Sequence, residues 1–348
     1  MQKMRNGSME IVNMYKYLGV FLSTRLSFSH ALQDMASRAR IGTITILKTL
    51  WSLGEKSPYV FFKLFDAQVQ PMLNYGAEVW GLTADLKFIE RIHLMALKRF
   101  LNVSIRTPNV LVYGETGRYP LFVNVYVKCV RYWLRIQKMD NDRYPKKAYK
   151  MLKHMHEQNR QTWASSVCYL LYKYGFDEVW LNHGVGDEKA FLKTFKEHLI
   201  ANYKQEWRND IETKERFQFY RSFKTEFCLS NYLNHLKNVK ARNDLIRLRL
   251  GVSQLKTHLN RFSRFDNHNT SCPFCEHTEE TEVHFMFICP VYEDLREYYI
   301  PHKFLNRPCL FTLDVLLATE SKYFLIRQAM YVKKALERRS FFLKEKLL

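Results

Sequence analysis

NTSCPFCEHTEETEVHFMFICP, residues 269–290, is the stretch in which the chain states a chemistry. Cys272 and Cys275 stand two residues apart, His284 follows after eight more, and Cys289 after a further four, giving C-x2-C-x8-H-x4-C. A Cys-x-x-Cys turn lets two thiolates converge on one ion, and the His-x4-Cys segment can return two more ligands to close a tetrahedron, the coordination zinc takes. Ser271 and Pro273 favour a tight turn at the first pair. With all four positions filled by protein, none is left for water, so one structural zinc is expected rather than a catalytic one. His277 competes for the histidine role but lies too near Cys275 to loop back, which leaves His284.

Three thiolates and a neutral imidazole around a divalent ion leave about one net negative charge, and Glu276, Glu279, Glu280 and Glu282 lie in the same stretch. Such a loop should repel phosphate. Any nucleic-acid contact is therefore expected from its flank. Between residues 237 and 264 there are eight Lys or Arg against Asp244 alone. Lys240, Arg242, Arg247, Arg249, Lys256 and Arg261 are the candidate phosphate contacts. On a helix several of these arginines border a stripe of Leu236, Val239, Ile246 and Leu250, which makes pairing with carboxylates the rival fate.

The whole chain of 348 residues carries a formal net charge of +20, with a sequence pI near 9.6 and 47% apolar residues. That apolar content is enough for a substantial core and excludes a disordered tail. The charge makes an acidic partner the expectation, nucleic acid before an anionic membrane. Seven cysteines, four of them scattered outside the metal stretch, suggest reduced thiols and an intracellular location, nucleus or cytoplasm. The start shows no apolar signal region, and no long apolar run predicts a membrane span. No small-molecule substrate is expected.

Residues 11–26 are rich in β-branched and aromatic types and predict one or two short strands. Thereafter the spacing is helical. Phe61, Leu64, Phe65, Val69 and Met72 recur at three- and four-residue steps, with Pro71 as an interruption, and Leu325, Ala329, Val332 and Leu336 do the same. Helices are also predicted near 30–53, 85–102, 122–139, 161–174, 187–207 and 211–236. The fold class is thus mainly α with short N-terminal strands. The expected order is strands over 1–26, a helical region over 27–140, a helical connector over 141–236, a basic helix with the zinc module over 237–300, and C-terminal helices over 301–348. In residues 215–232 aromatics alternate with Arg216, Arg221 and Lys224, a pattern compatible with single-strand binding or, more simply, with a packed core. Asp314, Glu320 and Lys322 form a weak nuclease-like echo on a helical segment.

Several segments together resemble, in order, the C-terminal part of the polyprotein of non-LTR (LINE-type) retrotransposons, the part that follows the reverse-transcriptase palm. YKYLGV (15–20) resembles that family's Y-L-G-V element, and QPMLNYGAEVW (70–80) resembles its P-x-L-x-Y-G-x-E-x-W. Ile89 with Glu90, ETG (115–117) and Pro120 with Leu121 continue the pattern. RLRLG (247–251), the metal stretch and CPVY (289–292) resemble its zinc-binding segment. The resemblance implies palm-remnant strands, a thumb-like helical region and a part that holds template RNA and target DNA.

The polymerases of that family use an adjacent Asp pair to bridge two metal ions, and no Asp-Asp pair occurs in this sequence. Thr83, Ala84, Asp85 and Leu86 echo the motif with Leu in the second acidic position. The expectation is a zinc-stabilised nucleic-acid-binding chain without catalysis of its own. Its rival is a helical interaction scaffold whose zinc is purely structural, and arginines buried in ion pairs would favour that rival.

Overall fold

Leu325, Ala329, Val332 and Leu336 form one buried stripe of the C-terminal helix, as their three- and four-residue spacing requires. The computed structural model describes residues 12–25, 27–261, 269–275 and 278–345. Arg264, Glu276, His277 and most of the polar loop before the metal stretch lie outside the described residues. In chain order the strands are β1 (Met14–Tyr17) and β2 (Val20–Ser23). The principal helices are α1 (Ser29–Ser52), α2 (Pro58–Leu64), α3 (Lys87–Phe100), α4 (Asn109–Thr116), α5 (Phe122–Gln137), α6 (Tyr144–Glu157) and α7 (Trp163–Lys173). They continue with α8 (Glu188–Thr213), α9 (Gln218–Phe223), α10 (Val239–Arg249), α11 (Lys256–Arg261), α12 (Glu293–Tyr299), α13 (Leu310–Leu317) and α14 (Lys322–Glu345). The fold is mainly α with a short N-terminal hairpin.

Two units are formed, one from Met1–Thr45, Leu64–His93 and Pro120–Ile200, the other from Ile46–Lys63, Leu94–Tyr119 and Ala201–Leu348. Four of the five limits fall inside α1, α2, α3 and α8 and the fifth, at Tyr119–Pro120, in the loop before α5, whereas the sequence breakers mark consecutive segments.

In the first unit β1 and β2 pair antiparallel with Tyr17 opposite Val20. Leu18 and Gly19 both have positive φ, 45° and 83°, the geometry that matches the twist of a two-residue hairpin. Leu18 bears the strain of that conformation, and its carbonyl accepts the Tyr75 hydroxyl at 2.9 Å. The segment around Tyr75 fixes much else. Pro71 follows a π-helical turn, Phe65–Val69, whose widened ladder is closed by the Gln70 N–H on the Phe65 carbonyl. Trp80 Nε1 donates to the Tyr75 carbonyl, Lys128 Nζ to that of Asn74, and Trp163 Nε1 to that of Glu78. A Cβ on Gly81 would stand 2.3 Å from Val125, so only glycine allows this turn to lie on α5. Glu90 accepts the Leu121 N–H at 2.7 Å, satisfying an amide at the start of α5, and also binds His93 Nδ1 at 2.9 Å. The core then continues through Trp133, stacked on Trp180 and donating to the Tyr149 hydroxyl.

In the second unit α14 packs along α10 and α12. The helix expected over 211–236 is broken. Regular helix is kept only in short pieces, α9 among them, and Phe217, Phe219, Tyr220, Phe223 and Phe227 are all buried, four of them at the i, i+1, i+4 and i+8 spacing of one apolar face. These rings are core, not a stacking platform. The following loop pairs Leu229 with Thr116 in an isolated antiparallel bridge, and the Ser230 N–H donates to the Glu115 carbonyl. Gly117 terminates α4 with φ of 62°, and a Cβ there would meet the Leu229 nitrogen at 2.5 Å. Gly117→Ala should therefore lower stability by about 2 kcal/mol or more, since the left-handed conformation alone costs about 1–2 kcal/mol. Urea unfolding followed by far-UV circular dichroism would show it as a lower midpoint with an unchanged slope.

Candidate metal centre

The residues of the metal stretch fold into a knuckle. The Cys272 N–H donates to the Thr278 carbonyl and the Glu280 N–H to the Thr270 carbonyl, so a two-residue ladder closes the Cys-x-x-Cys turn. His284 follows on a helical turn whose first free amide is capped, His284 N–H to Thr281 Oγ1 at 3.1 Å. That turn is π-helical over His284–Ile288 and is closed by the Cys289 N–H on the His284 carbonyl at 2.9 Å. On an α-helix, residues five apart point about 140° away from each other. The wider i→i+5 turn brings Cys289 back beneath His284.

The four ligand atoms of Cys272, Cys275, His284 and Cys289 lie within 4.8 Å of one another and could hold a metal ion. Cys275 Sγ is 3.6 Å from both Cys289 Sγ and His284 Nε2, and Cys272 Sγ is 3.9 Å from Cys289 Sγ. A tetrahedral ion with bonds of about 2.3 Å to sulfur and about 2.05 Å to nitrogen has S···S edges of about 3.8 Å and S···N edges of about 3.6 Å. The three separations match these edges, and the four atoms as a set stay within 4.8 Å. With Nε2 facing the thiols, Nδ1 lies 3.2 Å from Thr278 Oγ1, an outer partner that fixes the ring. Burial lowers the His284 pKa and raises those of Cys275 and Cys289, so the imidazole is ready as a neutral ligand while those two thiols need a cation nearby to ionise readily. Among the described residues this is the one such cluster of His, Cys, Asp and Glu. The Asp314 carboxylate accepts from Ser222 and forms no such group with Glu320.

Among the described carboxylates of the knuckle, Glu280 and Glu282 are buried rather than open to solvent. Glu280 is buried and accepts two parallel hydrogen bonds from Arg339 on α14, at 2.7 and 2.8 Å, and the Lys256 N–H at the start of α11. Glu282 accepts Arg261 at 2.7 Å and His258 Nε2 at 2.8 Å. The Ser253 N–H donates to His258 Nδ1, so that nitrogen is unprotonated and the ring is neutral, in line with the burial that lowers its pKa. Burial alone would raise the Glu282 pKa, but the His258 hydrogen bond and the Arg261 charge hold it at about 2. Glu279 accepts the Thr270 hydroxyl. Glu280 and Glu282 thus clamp the knuckle to α11 and α14. Arg339 continues the stripe of Leu325, Ala329, Val332 and Leu336 by one more three-residue step, the signal that could have placed it inside.

The six basic candidates do not make one phosphate-facing strip. Arg242 is buried, donates to the Lys56 carbonyl at 2.7 Å and lies over the Phe100 ring. Arg249 is buried between the Phe223 and Tyr232 rings and paired with Glu115, which is itself wholly buried and accepts the Tyr232 hydroxyl. Contrary to the expectation of nucleic-acid contacts, both are core residues, because each faces the apolar side of α10. Arg261 is committed to Glu282, and Lys240 pairs with Glu337 at 2.5 Å. Arg247 lies at the surface, its guanidinium on the Asn102 carbonyl. Lys256 is half-buried.

No protein-family model and no solved structure matches the chain. Over 134 residues it is 25% identical to a Drosophila melanogaster protein described as "Probable RNA-directed DNA polymerase from transposon X-element", a stretch covering 37% of this chain and 14% of that protein. The chain is thus weakly similar to a retrotransposon reverse transcriptase.

Arg249→Ala should cost about 3–5 kcal/mol, the penalty for stranding a buried charge. The same pair sets an acid limit. Burial raises the Glu115 pKa, Arg249 and Lys224 more than reverse it, and the net value is lowered. Its stabilisation is complete above the ordinary value of 4.5 and drains as pH falls toward the lowered folded value. Thermal midpoints measured from pH 7 downward should decline there in the parent and much less in Glu115→Gln.

Proposed function

We propose that the chain is a zinc-stapled, nucleic-acid-binding part of a protein related to retrotransposon reverse transcriptases, without polymerase chemistry of its own. The observation that supports it is the four-ligand cluster of zinc dimensions, set in a chain of formal charge +20 that is weakly similar to a transposon polymerase. Zinc fits the donor set of three thiolates and an imidazole. With no water position, its task is to hold the knuckle against α11 and α14. Protein purified without chelator should contain one zinc per chain by atomic absorption. Chelation, or Cys275→Ser, should speed hydrogen exchange over 269–300 and α14 much more than over α5 to α7. Zinc-free protein with the same exchange pattern would remove the metal from the reading.

On this reading the basic window is mostly framework, and phosphate is met by cations that remain at the surface. Affinity for a single-stranded oligonucleotide should fall steeply with salt. Three to four neutralised phosphates give a log–log slope of about 2–3 in magnitude, and Arg247→Ala with Lys256→Ala should lower it by about 1.4. Primer, template, nucleotides and Mg2+ should give no extension. A second reading, a helical interaction scaffold, is favoured by the burial of Arg242 and Arg249. Affinity that is negligible or flat with salt in an anisotropy titration would select it.

A further inference from the structure

The first unit carries a groove of about 610 Å³ that the metal centre does not explain. Its walls are Tyr126 on α5, His156 near the end of α6, Arg160 in the connecting turn, and Tyr169, Tyr172 and Lys173 on α7. The turn is held in place. Thr162 and Ser165 form a reciprocal cap at the start of α7, Thr162 Oγ1 also donates to the Leu152 carbonyl, and Ser165 Oγ to that of Arg160. Asn159, with φ of 62°, reverses the chain just before Arg160.

Ala164, Val167, Leu170 and Leu171 bury one face of α7, and the opposite face leaves Tyr169 68% and Tyr172 49% exposed. Core packing does not call for rings on that face. Three residues apart on one helix, they stand one turn from each other along the groove. No acidic side chain lines it, while Arg160 and Lys173 supply positive charge. Rings for base faces beside cations for phosphates are the two elements of sequence-tolerant single-strand binding. A duplex keeps its base faces stacked inside and offers nothing to the rings.

We propose that this groove is a binding site for single-stranded nucleic acid, with Tyr169 and Tyr172 stacking on bases and Arg160 and Lys173 meeting the backbone. The inference rests on the nucleic-acid reading above and assigns it a place outside the basic window.

The test uses the full zinc-loaded chain and a fluorescein-labelled oligo(dT) 20-mer, with a hairpin duplex as comparison. Tyr169→Ala with Tyr172→Ala should weaken single-strand binding about tenfold or more, since a stacked base is worth about 5-fold to over 100-fold in affinity. Tyr169→Phe with Tyr172→Phe should stay within about twofold of the parent. Unchanged circular dichroism and zinc content would show that the fold is intact. Parent and double alanine variant binding equally well would overturn the groove and leave the nucleic-acid reading standing. Equal losses for single strand and duplex would also overturn it. A parent that binds neither probe would remove both.

Discussion

A carboxylate with no exposed surface keeps its charge only if the protein supplies what water would have supplied, and Glu115 meets that condition through Arg249, Lys224 and the Tyr232 hydroxyl. The arrangement ties the end of α4, the loop after α9 and the end of α10 to one point. Gly117 completes it, because the loop backbone occupies the space a side chain would need. A second buried pair of the same kind, Glu280 with Arg339, joins the metal knuckle to α14. The second unit is thus fastened by charges whose partners come from distant parts of the chain, and the cluster that could hold a metal ion lies beside the second of them.

This accounts for the segments that carry the family resemblance. Residues 18 and 19 of the hairpin turn meet Tyr75 of the second segment, Glu90 meets Leu121, and Glu115 meets Arg249. Each of these motifs is half of a polar contact whose other half is another motif, exposed for Leu18 with Tyr75, part-buried for Glu90 with Leu121 and fully buried for Glu115 with Arg249. Such residues look like site residues in a sequence because they are polar and specific, yet their partners here are protein groups. Helical packing is tolerant of which apolar residue sits where, whereas a buried charge is not tolerant of losing its partner.

The helical class, the short N-terminal strands and the grouping of three cysteines with His284 were legible because each rests on local spacing. That each unit draws on separated parts of the chain was not, since contacts across the chain decide it. The basic window was half legible. Its bordering of an apolar stripe foretold pairing, but which arginine turned inward depended on Glu115, more than a hundred residues away in the chain. The aromatic run at 217–227 showed its rings and hid their direction, because period alone does not distinguish a platform from a core. The groove beside α7 could not be read at all, as its lining comes from three helices and a turn.

The π turn between His284 and Cys289 bears on how such a site can vary. Removing one residue from that turn would leave an ordinary α turn with the two ligands four apart, still on the same side of the helix. The joint between the last two ligands can therefore absorb a length change by switching turn type. The Cys272 to Cys275 turn, closed by a ladder on both sides, has no such freedom. A pattern for sites of this shape should hold the first spacing rigid and let three or four residues intervene between the last two ligands.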